Sequence, residues 1–452
     1  MTLQDTLMIA VVTAPGLLFL ALSAVWLAGA SYGERFLSRA SGAVFAFSAL
    51  GSLLLALRVL PGAGPGQLTV SLGNWFSVGD YQFPIEFLAD RFSLPLMGLT
   101  AVLIGLVTKF ASRYLHRERG YLYFFLLLQA FGFGSLLLFA AGSFDLIIAG
   151  WEIVGWTSIL LISFFSERRS PVENGLRVFS IYRVTDVGLL VAVVGLHHFA
   201  GTTSVSLFSG VPMNPLTPFS GAAATGIGLL LLFAAMGKAA QYPFSGWLPR
   251  AMEGPTPSSA IFYGAISVHA GAFLLLRAEP ILQQSAVAAW SVVGVGIVSA
   301  VTAVLAGRAA SDIKTSLAYA SVAQLGIIFV EIGLGFSYLA VWHICGHAIV
   351  RTLQILRAPS ALQEFNLAHA GAGGTMEAAF SRRTRLWLYR FALNRACSDT
   401  LLERFVARPA RVVASLLNPP HAAPMDLNEP FYGPAMPHPL EGKADALVKR
   451  II

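Results

Sequence analysis

The amino-acid sequence predicts an all-α fold: a polytopic transmembrane helix bundle of about 11–13 spans, with discontinuous helices and a cytoplasmic, amphipathic C-terminal segment. Composition is the first reason, because 56% of the 452 residues are hydrophobic and only 12% are charged, and the mean hydropathy is +0.69. Soluble globular proteins carry about twice that charged fraction. The second reason is a series of apolar windows of roughly 20 residues, the length that crosses the hydrocarbon core. They fall near 7–30, 37–60, 92–112, 121–142, 145–165, 177–199, 223–243, 256–277, 285–306, 315–334 and 336–357.

The basic residues are the third reason, since short loops with arginine alternate with loops that have no Lys or Arg. The second kind are 61–90, 143–144, 200–222 and 278–284. By the positive-inside rule the basic loops face the cytoplasm, which places the N-terminus outside and the C-terminus inside a bacterial inner membrane. The basic pI follows from this bias and does not indicate nucleic-acid binding. The basic loops and their edges contain Arg35, Arg39, Arg113, Arg117, Arg119, Arg168, Arg169, Arg177, Arg250, Arg308 and Arg357.

Ionisable residues inside the predicted spans are the first functional signal. Glu152 lies near the start of one span, and Lys238 lies near the end of another. A charge in hydrocarbon costs several kcal/mol unless it is paired or lines a hydrated path, so Glu152 and Lys238 are predicted to be partners if their helices adjoin. Arg183 and Asp186 are three residues apart and compensate each other on one helix face. The alternative is a static ion-pair network that only holds the bundle together.

Proline interrupts the chain directly after Lys238, with four prolines within residues 243–257. A broken helix survives in a membrane only where its freed carbonyls face protein or water, and such breaks accompany ion paths in transporters. The pattern therefore predicts a discontinuous helix beside Lys238. A second, weaker signal for a break lies at residues 324–326.

A third polar pattern climbs one face of a single helix, because His343, His347 and Arg351 recur every four residues. Histidine takes and releases protons near neutral pH, so this face suits stepwise proton transfer. The rival is a metal site, since the two histidines have the spacing of zinc ligands, but no third ligand accompanies them and the arginine would repel a cation. A merely structural role also stays open. The two cysteines, Cys345 and Cys397, predict neither a disulfide nor a zinc site.

Short motifs contain these residues in a fixed order. They are Trp151-Glu152, Tyr182-Arg183-Val184-Thr185-Asp186, Gly237-Lys238-Ala239-Ala240-Gln241, Trp247-Leu248-Pro249, Ala251-Met252-Glu253-Gly254-Pro255-Thr256-Pro257, Asp312-Ile313-Lys314, Leu317-Ala318-Tyr319 and His343-Ile344-Cys345-Gly346-His347-Ala348. With them the chain resembles the antiporter-like membrane subunits of respiratory complex I and of Mrp cation antiporters. The resemblance implies a proton- or cation-translocating subunit, with a polar axis formed by Glu152, Lys238, Lys314, His343 and His347.

Three positions depart from the usual complex I pattern. Tyr263 stands where those subunits carry a histidine, a histidine is found instead at His269, and Arg351 replaces a lysine. An arginine almost never releases its proton, so it tunes a neighbour rather than relaying protons. We expect these three residues, with Arg183 and Asp186, to form a polar network that supports the axis.

The run Phe262–His269, the shortened C-terminal part and the basic tail are similar to the DabB-type membrane subunits of DAB inorganic carbon accumulation complexes. This resemblance implies that an ion gradient drives hydration of CO2 to bicarbonate in a large soluble DabA-type partner, which holds zinc and lies at the cytoplasmic face. The chain is then a transport and energy-coupling subunit rather than the enzyme, with no cofactor of its own. Two alternatives stay open: a proton-pumping subunit of a complex I-type or Mrp-type complex, and a non-conducting scaffold. Lysine in the path favours protons, and sodium stays possible.

The C-terminal part divides the chain further. Arginines at helical spacing alternate with apolar residues after a linker of small residues, which predicts amphipathic helices on the bilayer surface or against a partner. The residues expected to bind a partner are Arg382, Arg390, Arg395 and Phe405. The predicted regions are 1–91 (N-terminal transmembrane helices and outer loop), 92–357 (antiporter-like proton-conducting core), 358–418 (linker and Arg-rich amphipathic helices) and 419–452 (Pro-rich cytoplasmic tail).

Overall fold

The computed structural model divides the chain into two compact units, residues 1–402 and 403–452. It describes residues 2–402 apart from 31, 61–65, 80, 206–220, 311 and 359–381, and beyond them only 404, 405, 408, 409 and 412. In the second unit, the Arg404 guanidinium carbon lies 5.9 Å from the centroid of the Phe405 ring. All long helices described here belong to the first unit.

Ten helices among the described residues are long and apolar enough to cross a membrane. They match ten of the apolar windows of the sequence, so the prediction of an all-α polytopic bundle is confirmed. In chain order the α-helices are α1 (Leu3–Leu27), α2 (Glu34–Val59), α3 (Ser93–Tyr114), α4 (Tyr121–Ala140), α5 (Phe144–Ile162), α6 (Arg169–Ala200), α7 (Gly221–Lys238), α8 (Trp247–Arg250), α9 (Thr256–Ser259), α10 (His269–Arg277), α11 (Glu279–Leu282), α12 (Ala286–Arg308), α13 (Ile313–Gly333), α14 (Ser337–Leu356), α15 (Arg382–Leu393) and α16 (Ser398–Leu402).

The centre of the bundle is α4. Its sequence is apolar on all faces, and 78% of the residues in its most apolar stretch of 18 are buried. The corresponding fraction is 28% for α1 and 33% for α12, so these helices lie at the periphery with a broad face exposed outside the bundle. A helix that is hydrophobic all round is expected at such a central position.

The remaining apolar window, 256–277, is a discontinuous helix. After α9 the chain forms a π-helix, Ala260–Ala265, and then an irregular turn before α10 begins at His269. The proline-rich segment before it contains two 3₁₀ turns, Phe244–Gly246 and Ala251–Glu253, on either side of α8. The predicted break beside Lys238 is therefore confirmed, and a second break follows it in the chain.

The break predicted at residues 324–326 is wrong, because α13 runs unbroken from Ile313 to Gly333. Gly326 instead allows a close approach to α12: a Cβ at this position would lie 2.6 Å from the carbonyl oxygen of Gly296. The missing side chain serves helix packing, which a sequence pattern does not distinguish from a helix break.

A two-stranded antiparallel hairpin adds to the helical fold. Its strands are β1 (Leu68–Val78) and β2 (Tyr81–Ala89), and the pairing runs from Leu68 opposite Ala89 to Val78 opposite Tyr81. The end of β2 is buried, and the amide of Gly142, between α4 and α5, donates to the carbonyl of Glu86 at 2.7 Å. The hairpin thus covers one end of the helix bundle.

The two ends of the bundle differ in charge. The hairpin side holds the hairpin and the ion pair between Asp90 and Arg277. The opposite side, called the arginine side, holds the α3–α4 connection, where the Arg117 amide donates to Glu34, and the ion pair of Arg250 with Asp399. The loops with arginine therefore share one side, as their alternation predicts. Which side faces the cytoplasm stays a prediction.

Candidate functional site

The first polar group inside the bundle surrounds Lys238, the last residue of α7, which is fully buried. Its Nζ donates a hydrogen bond to the carbonyl oxygen of Trp151 at 2.9 Å. It also lies 4.8 Å from the ring centroid of Trp151 and 4.3 Å from that of Tyr182. Aromatic faces attract a cation, so the ammonium is held by a carbonyl and two rings. Gly155 leaves room for it, since a Cβ there would lie 2.9 Å from Nζ.

Two carboxylates lie next to this ammonium, but they bind Arg183 instead. The Arg183 Nη2 donates to Glu152 Oε2 at 2.5 Å and to Asp186 Oδ2 at 2.8 Å. The predicted pairing of Arg183 with Asp186 is therefore seen, whereas the predicted pairing of Glu152 with Lys238 is wrong. Successive residues of an α-helix point about 100° apart. Trp151 faces the core, and this directs Glu152 towards Arg183 with its side chain 26% exposed.

The charges of this group, which we call the lysine cluster, compensate each other. Glu152 and Asp186 oppose Arg183 and Lys238, so the formal charges cancel when all four are ionised. The Trp151 indole Nε1 donates to Asp186 Oδ1 at 2.6 Å and adds a donor to the buried carboxylate. Lys238 and Asp186 are buried, while Arg183 and Glu152 are partly exposed. The gain or loss of one proton leaves a charge unpaired, which is costly at the buried members.

The break after α7 has its exposed carbonyl satisfied by protein. The Trp247 indole donates to the carbonyl oxygen of Gly237 at 3.0 Å, and the Gln241 amide returns to the carbonyl of Met236 at 2.8 Å. These bonds satisfy the requirement that irregular backbone in a membrane finds partners.

The second polar group, the histidine cluster, joins α10, α13 and α14. His269 Nε2 lies 2.9 Å from His347 Nδ1, and both rings are buried. One turn away on α14, His343 lies 2.8 Å from Glu331 Oε1 and 2.9 Å from Gln324 Oε1 through its two ring nitrogens. The His347 Nε2 has no hydrogen-bond partner among the described residues, so one imidazole nitrogen is available for a proton.

Arg351 follows one further turn along α14 and is 7% exposed. The predicted face of His343, His347 and Arg351 is therefore real, and it points into the bundle rather than towards lipid. Gln324 and Glu331 belong to the same cluster through α13. Within the described part of the chain, no group of three or more His, Cys, Asp or Glu side chains is arranged to hold a metal ion.

The second helix break lies between the two clusters. Ser267 is in the turn before α10, and its hydroxyl is 3.3 Å from that of Ser158 on α5. His269 follows two residues later, and Tyr182 of the lysine cluster is buried nearby in the core. These hydroxyls connect α5, which carries Glu152, with the turn just before His269, and we call the two clusters and these hydroxyls together the polar band.

Other predicted residues lie outside this band. Lys314 is the second residue of α13, on the arginine side, and its Nζ donates to the Thr256 hydroxyl at 3.3 Å. It lies near the start of its helix, apart from both clusters, and its role in ion translocation stays a prediction. Tyr263 lies on the π-helix, but its side chain falls outside the described ones.

The residues predicted to bind a partner occupy different environments. Arg390 on α15 and Phe405 are exposed, while the side chain of Arg382 falls outside the described ones. Arg395 Nη1 lies 3.4 Å from Asp399 Oδ2, within an internal ion-pair group. A partner-binding role for these residues stays a prediction.

Several residues of the site were missed by the sequence reasoning. Glu331 and Gln324 both lie within a predicted span, so the rule applied to Glu152, that a polar residue in a span needs an explanation, also identifies them. The carbonyl of Trp151 carries no sequence signal. Its role follows only from the way α5 and α7 meet.

Two family models match the chain. The one described as NADH:quinone oxidoreductase/Mrp antiporter, TM, matches residues 141–370. The one described as NADH-Ubiquinone oxidoreductase (complex I), chain 5 N-terminus, matches residues 75–125. The first covers about half of the chain and includes every residue of both clusters.

Curated relatives are longer than this chain. The NADH-quinone oxidoreductase subunit L of Neisseria meningitidis serogroup A is 33% identical over 306 residues, which are 64% of this chain and 44% of the relative. The NADH-ubiquinone oxidoreductase chain 5 of Cryptococcus neoformans var. grubii is 32% identical over 302 residues, 66% of this chain and 44% of the relative. The chain therefore spans about half the length of the curated relatives it matches.

Solved structures share the fold. A chain of the Mrp complex from Dietzia sp. DQ12-45-1b superposes with a TM-score of 0.65 at 26% identity, covering 77% of this chain and 37% of that chain. A chain of the membrane-bound sulfane sulfur reductase, an archaeal respiratory membrane complex, gives a TM-score of 0.63 at 18% identity over 77% of this chain and 70% of that chain. The second likeness concerns the fold alone.

Proposed function

Because the chain belongs to the NADH:quinone oxidoreductase/Mrp antiporter transmembrane family, we propose that it is a proton-translocating membrane subunit of a multi-subunit complex. One observation carries the proposal: a fully buried lysine at a helix break, with a charge-balanced ion group on one side and linked histidines on the other. Buried ionisable residues in membrane proteins mark ion paths. Lysine and histidine exchange protons and are poor ligands for an alkali cation such as sodium, which favours protons over sodium.

The two clusters have complementary tasks in this proposal. A proton that reaches Glu152 or Asp186 loosens the hold of the carboxylates on Arg183 and changes the field at Lys238. A proton that leaves Lys238 passes by water and hydroxyls towards His269 and His347, whose rings are in contact at 2.9 Å. Each elementary charge that crosses a potential of 100 mV releases about 2.3 kcal/mol. That amount biases a coupled equilibrium by roughly fifty-fold.

We further propose that the released free energy drives inorganic carbon uptake in a DabA-type partner. In this scheme the partner holds zinc at the cytoplasmic face and hydrates CO2 to bicarbonate, while this chain supplies energy and no catalysis. Support comes from the resemblance of the Phe262–His269 run. It also comes from the ion pair between Arg250 and Asp399, which links the segment near the C-terminus to the first helix break. A partner bound to that segment would therefore be connected, through this ion pair, to the helix break beside Lys238.

Purification from the native membrane tests the partner. The tagged chain is extracted gently, and the proteins that accompany it are identified by mass spectrometry and analysed for zinc. A large soluble protein with zinc bound by carbonic-anhydrase-like ligands supports carbon uptake. Hydrogenase or quinone-reductase subunits instead would assign the chain to a complex I-type assembly, and cation-antiporter subunits to an Mrp-type assembly.

Reconstitution tests translocation itself. The purified complex is placed in liposomes with an internal pH dye, and a potassium gradient with valinomycin imposes the potential. We expect acidification or alkalinisation that follows the sign of the potential and does not require sodium. A flux that disappears without sodium would replace the proton by sodium, and no flux under any potential would support a non-conducting scaffold.

A further inference from the structure

A second buried titratable pair lies outside both clusters, on the hairpin side. His197 is 6% exposed, and its Nε2 lies 3.1 Å from Asp145 Oδ1. The other carboxylate oxygen accepts a hydrogen bond from the Thr203 hydroxyl. Neither Asp145 nor His197 has a role in the polar band described above.

The pair joins the same two helices as the charged part of the lysine cluster. Asp145 lies on α5 seven residues before Glu152, and His197 lies on α6 eleven residues after Asp186. Seven and eleven residues are close to two and three full turns of an α-helix, so both members face the same way as the cluster residues on their own helix. At about 1.5 Å per residue the Asp145–His197 pair and the carboxylates of the lysine cluster are about 10–16 Å apart along the helix axes.

One ring nitrogen of the His197 imidazole can bind a further proton. Its Nδ1 is buried and has no hydrogen-bond partner among the described residues. The rings of Tyr81 and Phe83 from the hairpin lie 5.5 Å and 4.8 Å from it, centroid to centroid. The other titratable groups around the pair are Glu86, which accepts from the Ser204 hydroxyl at 2.8 Å, and His198 on the outer face of α6.

We propose that Asp145 and His197 form the hairpin-side proton-exchange site of the polar band. A proton from the hairpin-side solution reaches the buried Nδ1 through water that enters beside the hairpin, and gives an imidazolium. The Nε2 proton then moves to Asp145 Oδ1, which leaves a neutral imidazole of the other tautomer and a carboxylic acid. The acid passes the proton by water towards Glu152 and Asp186. This inference rests on the proposed function, since it supplies the access that a proton path requires.

In this proposal the stretch of α6 between Asp186 and His197 acts as a gate. Leu189 and Val193 lie on the α6 face between Asp186 and His197, so this stretch is apolar. An apolar constriction conducts protons only while it is hydrated. The gate therefore keeps the exchange site and the lysine cluster from being in open contact at all times.

The competing explanation is helix capping. Asp145 is in the first turn of α5 and His197 is in the last turn of α6, where each charge complements the helix dipole. Capping predicts an effect on stability alone, whereas exchange predicts an effect on flux and on its pH dependence.

The variants His197→Gln and Asp145→Asn separate these explanations, with His198→Gln as the matched control on the exposed neighbour. Flux is measured in liposomes while the pH on the hairpin side is varied, and melting temperature reports stability. We expect both variants to lower flux by about tenfold or more and to flatten its dependence on hairpin-side pH, with the control unchanged. The exchange site is overturned if both variants keep a proton flux that Lys238→Ala abolishes and that depends on hairpin-side pH as in the wild-type protein.

Nuclear magnetic resonance of ¹⁵N-labelled histidine keeps the inference testable if no flux is found. If the wild-type chain shows no flux that Lys238→Ala abolishes, the proposed function is refuted. The resonance measurement then tests the Asp145–His197 pair by itself. Spectra are recorded between about pH 5 and 9. We expect the His197 signals, assigned by their loss in His197→Gln, to change with pH and to change differently in Asp145→Asn. A His197 that stays in one protonation state throughout would contradict proton exchange.

Discussion

The lysine cluster and the histidine cluster solve the same problem, polar groups inside a bilayer, in opposite ways. The lysine cluster holds two cations and two carboxylates that cancel, and Arg183 fixes both carboxylates at 2.5 and 2.8 Å. The histidine cluster relies on imidazoles in contact with each other or with Glu331 and Gln324. The first arrangement depends on the balance of formal charges and the second on hydrogen bonds of imidazole nitrogens. Substitutions should therefore damage them differently.

The largest effect is expected for Lys238→Ala. Removal of the ammonium leaves two carboxylates against one guanidinium in a buried group, and loss of one partner from such a group costs about 3–5 kcal/mol. We expect proton flux in liposomes to fall to background, with a lower melting temperature. Lys109→Ala is the matched control, because that lysine is exposed on α3 and belongs to neither cluster. Equal flux in Lys238→Ala and the wild-type protein, with the variant folded, would favour a scaffold.

The next effect is expected for His347→Gln. Glutamine keeps a hydrogen bond to His269 but does not titrate, so we expect flux to fall by about a hundredfold. The melting temperature should change little, because the net worth of one hydrogen bond is about 1 kcal/mol. His116→Gln, at the exposed contact with Glu34, is the control. Loss of stability in parallel with flux would mean that the two clusters do not differ as described.

A double-mutant cycle sharpens the contrast in charge balance. Glu152→Gln and Arg183→Gln each unbalance the lysine cluster, while the double variant restores neutrality. We expect the double variant to lose less stability than the sum of the losses in the two single variants. The difference, the coupling free energy, is expected to be about 2 kcal/mol. Thermal unfolding in detergent measures it. Additive losses would show that the ion pair contributes no more than its separate side chains.

The smallest effect is expected outside both clusters, at Asp90. Burial raises the pKa of this carboxyl, but Arg277 and the hydrogen bonds from Ser93 outweigh burial and hold the pKa below its ordinary value. The stability that the pair contributes is present above the pKa of the unfolded chain, about 3.9, and is lost as pH falls through the lower folded value. We expect the melting temperature to drop below about pH 4, and Asp90→Asn to remove that component. An identical acid profile in the variant would contradict this assignment.

The sequence predicted most of the fold because span length and proline placement are local properties. The windows located the long helices, and the prolines at 243–257 located the first break. The hairpin was missed although Leu68, Val70 and Leu72 alternate with polar residues in the manner of a strand. Gly326 was misread because close packing and helix breaking use the same residue.

The candidate site was predictable as a set of polar residues but not as a set of pairs. Lys238 is buried and Glu152 partly buried, as ionisable groups inside the bundle. Their direct pairing is not seen, because it depends on how α5 and α7 are rotated. The contact of His269 with His347 joins residues 78 positions apart, which no local pattern specifies. The position of Lys314 shows the same limit, because its distance from the centre of the bundle depends on where α13 begins.

The segment between α15 and α16 offers a way to watch the first helix break directly. Arg395, Ala396 and Cys397 all have left-handed backbone angles, with φ of 50°, 53° and 61°, which non-glycine residues adopt only when neighbours hold them there. Asp399 supplies that hold through Arg250, and the Tyr242 hydroxyl donates to the carbonyl of Ala396 at 3.3 Å. Cys397 is exposed, whereas Cys345 is partly buried in α14. A thiol-reactive spin label or fluorophore on Cys397, in a protein with Cys345→Ala, would therefore sit two residues from the Arg250 ion pair. Its signal would report any movement of the break in real time.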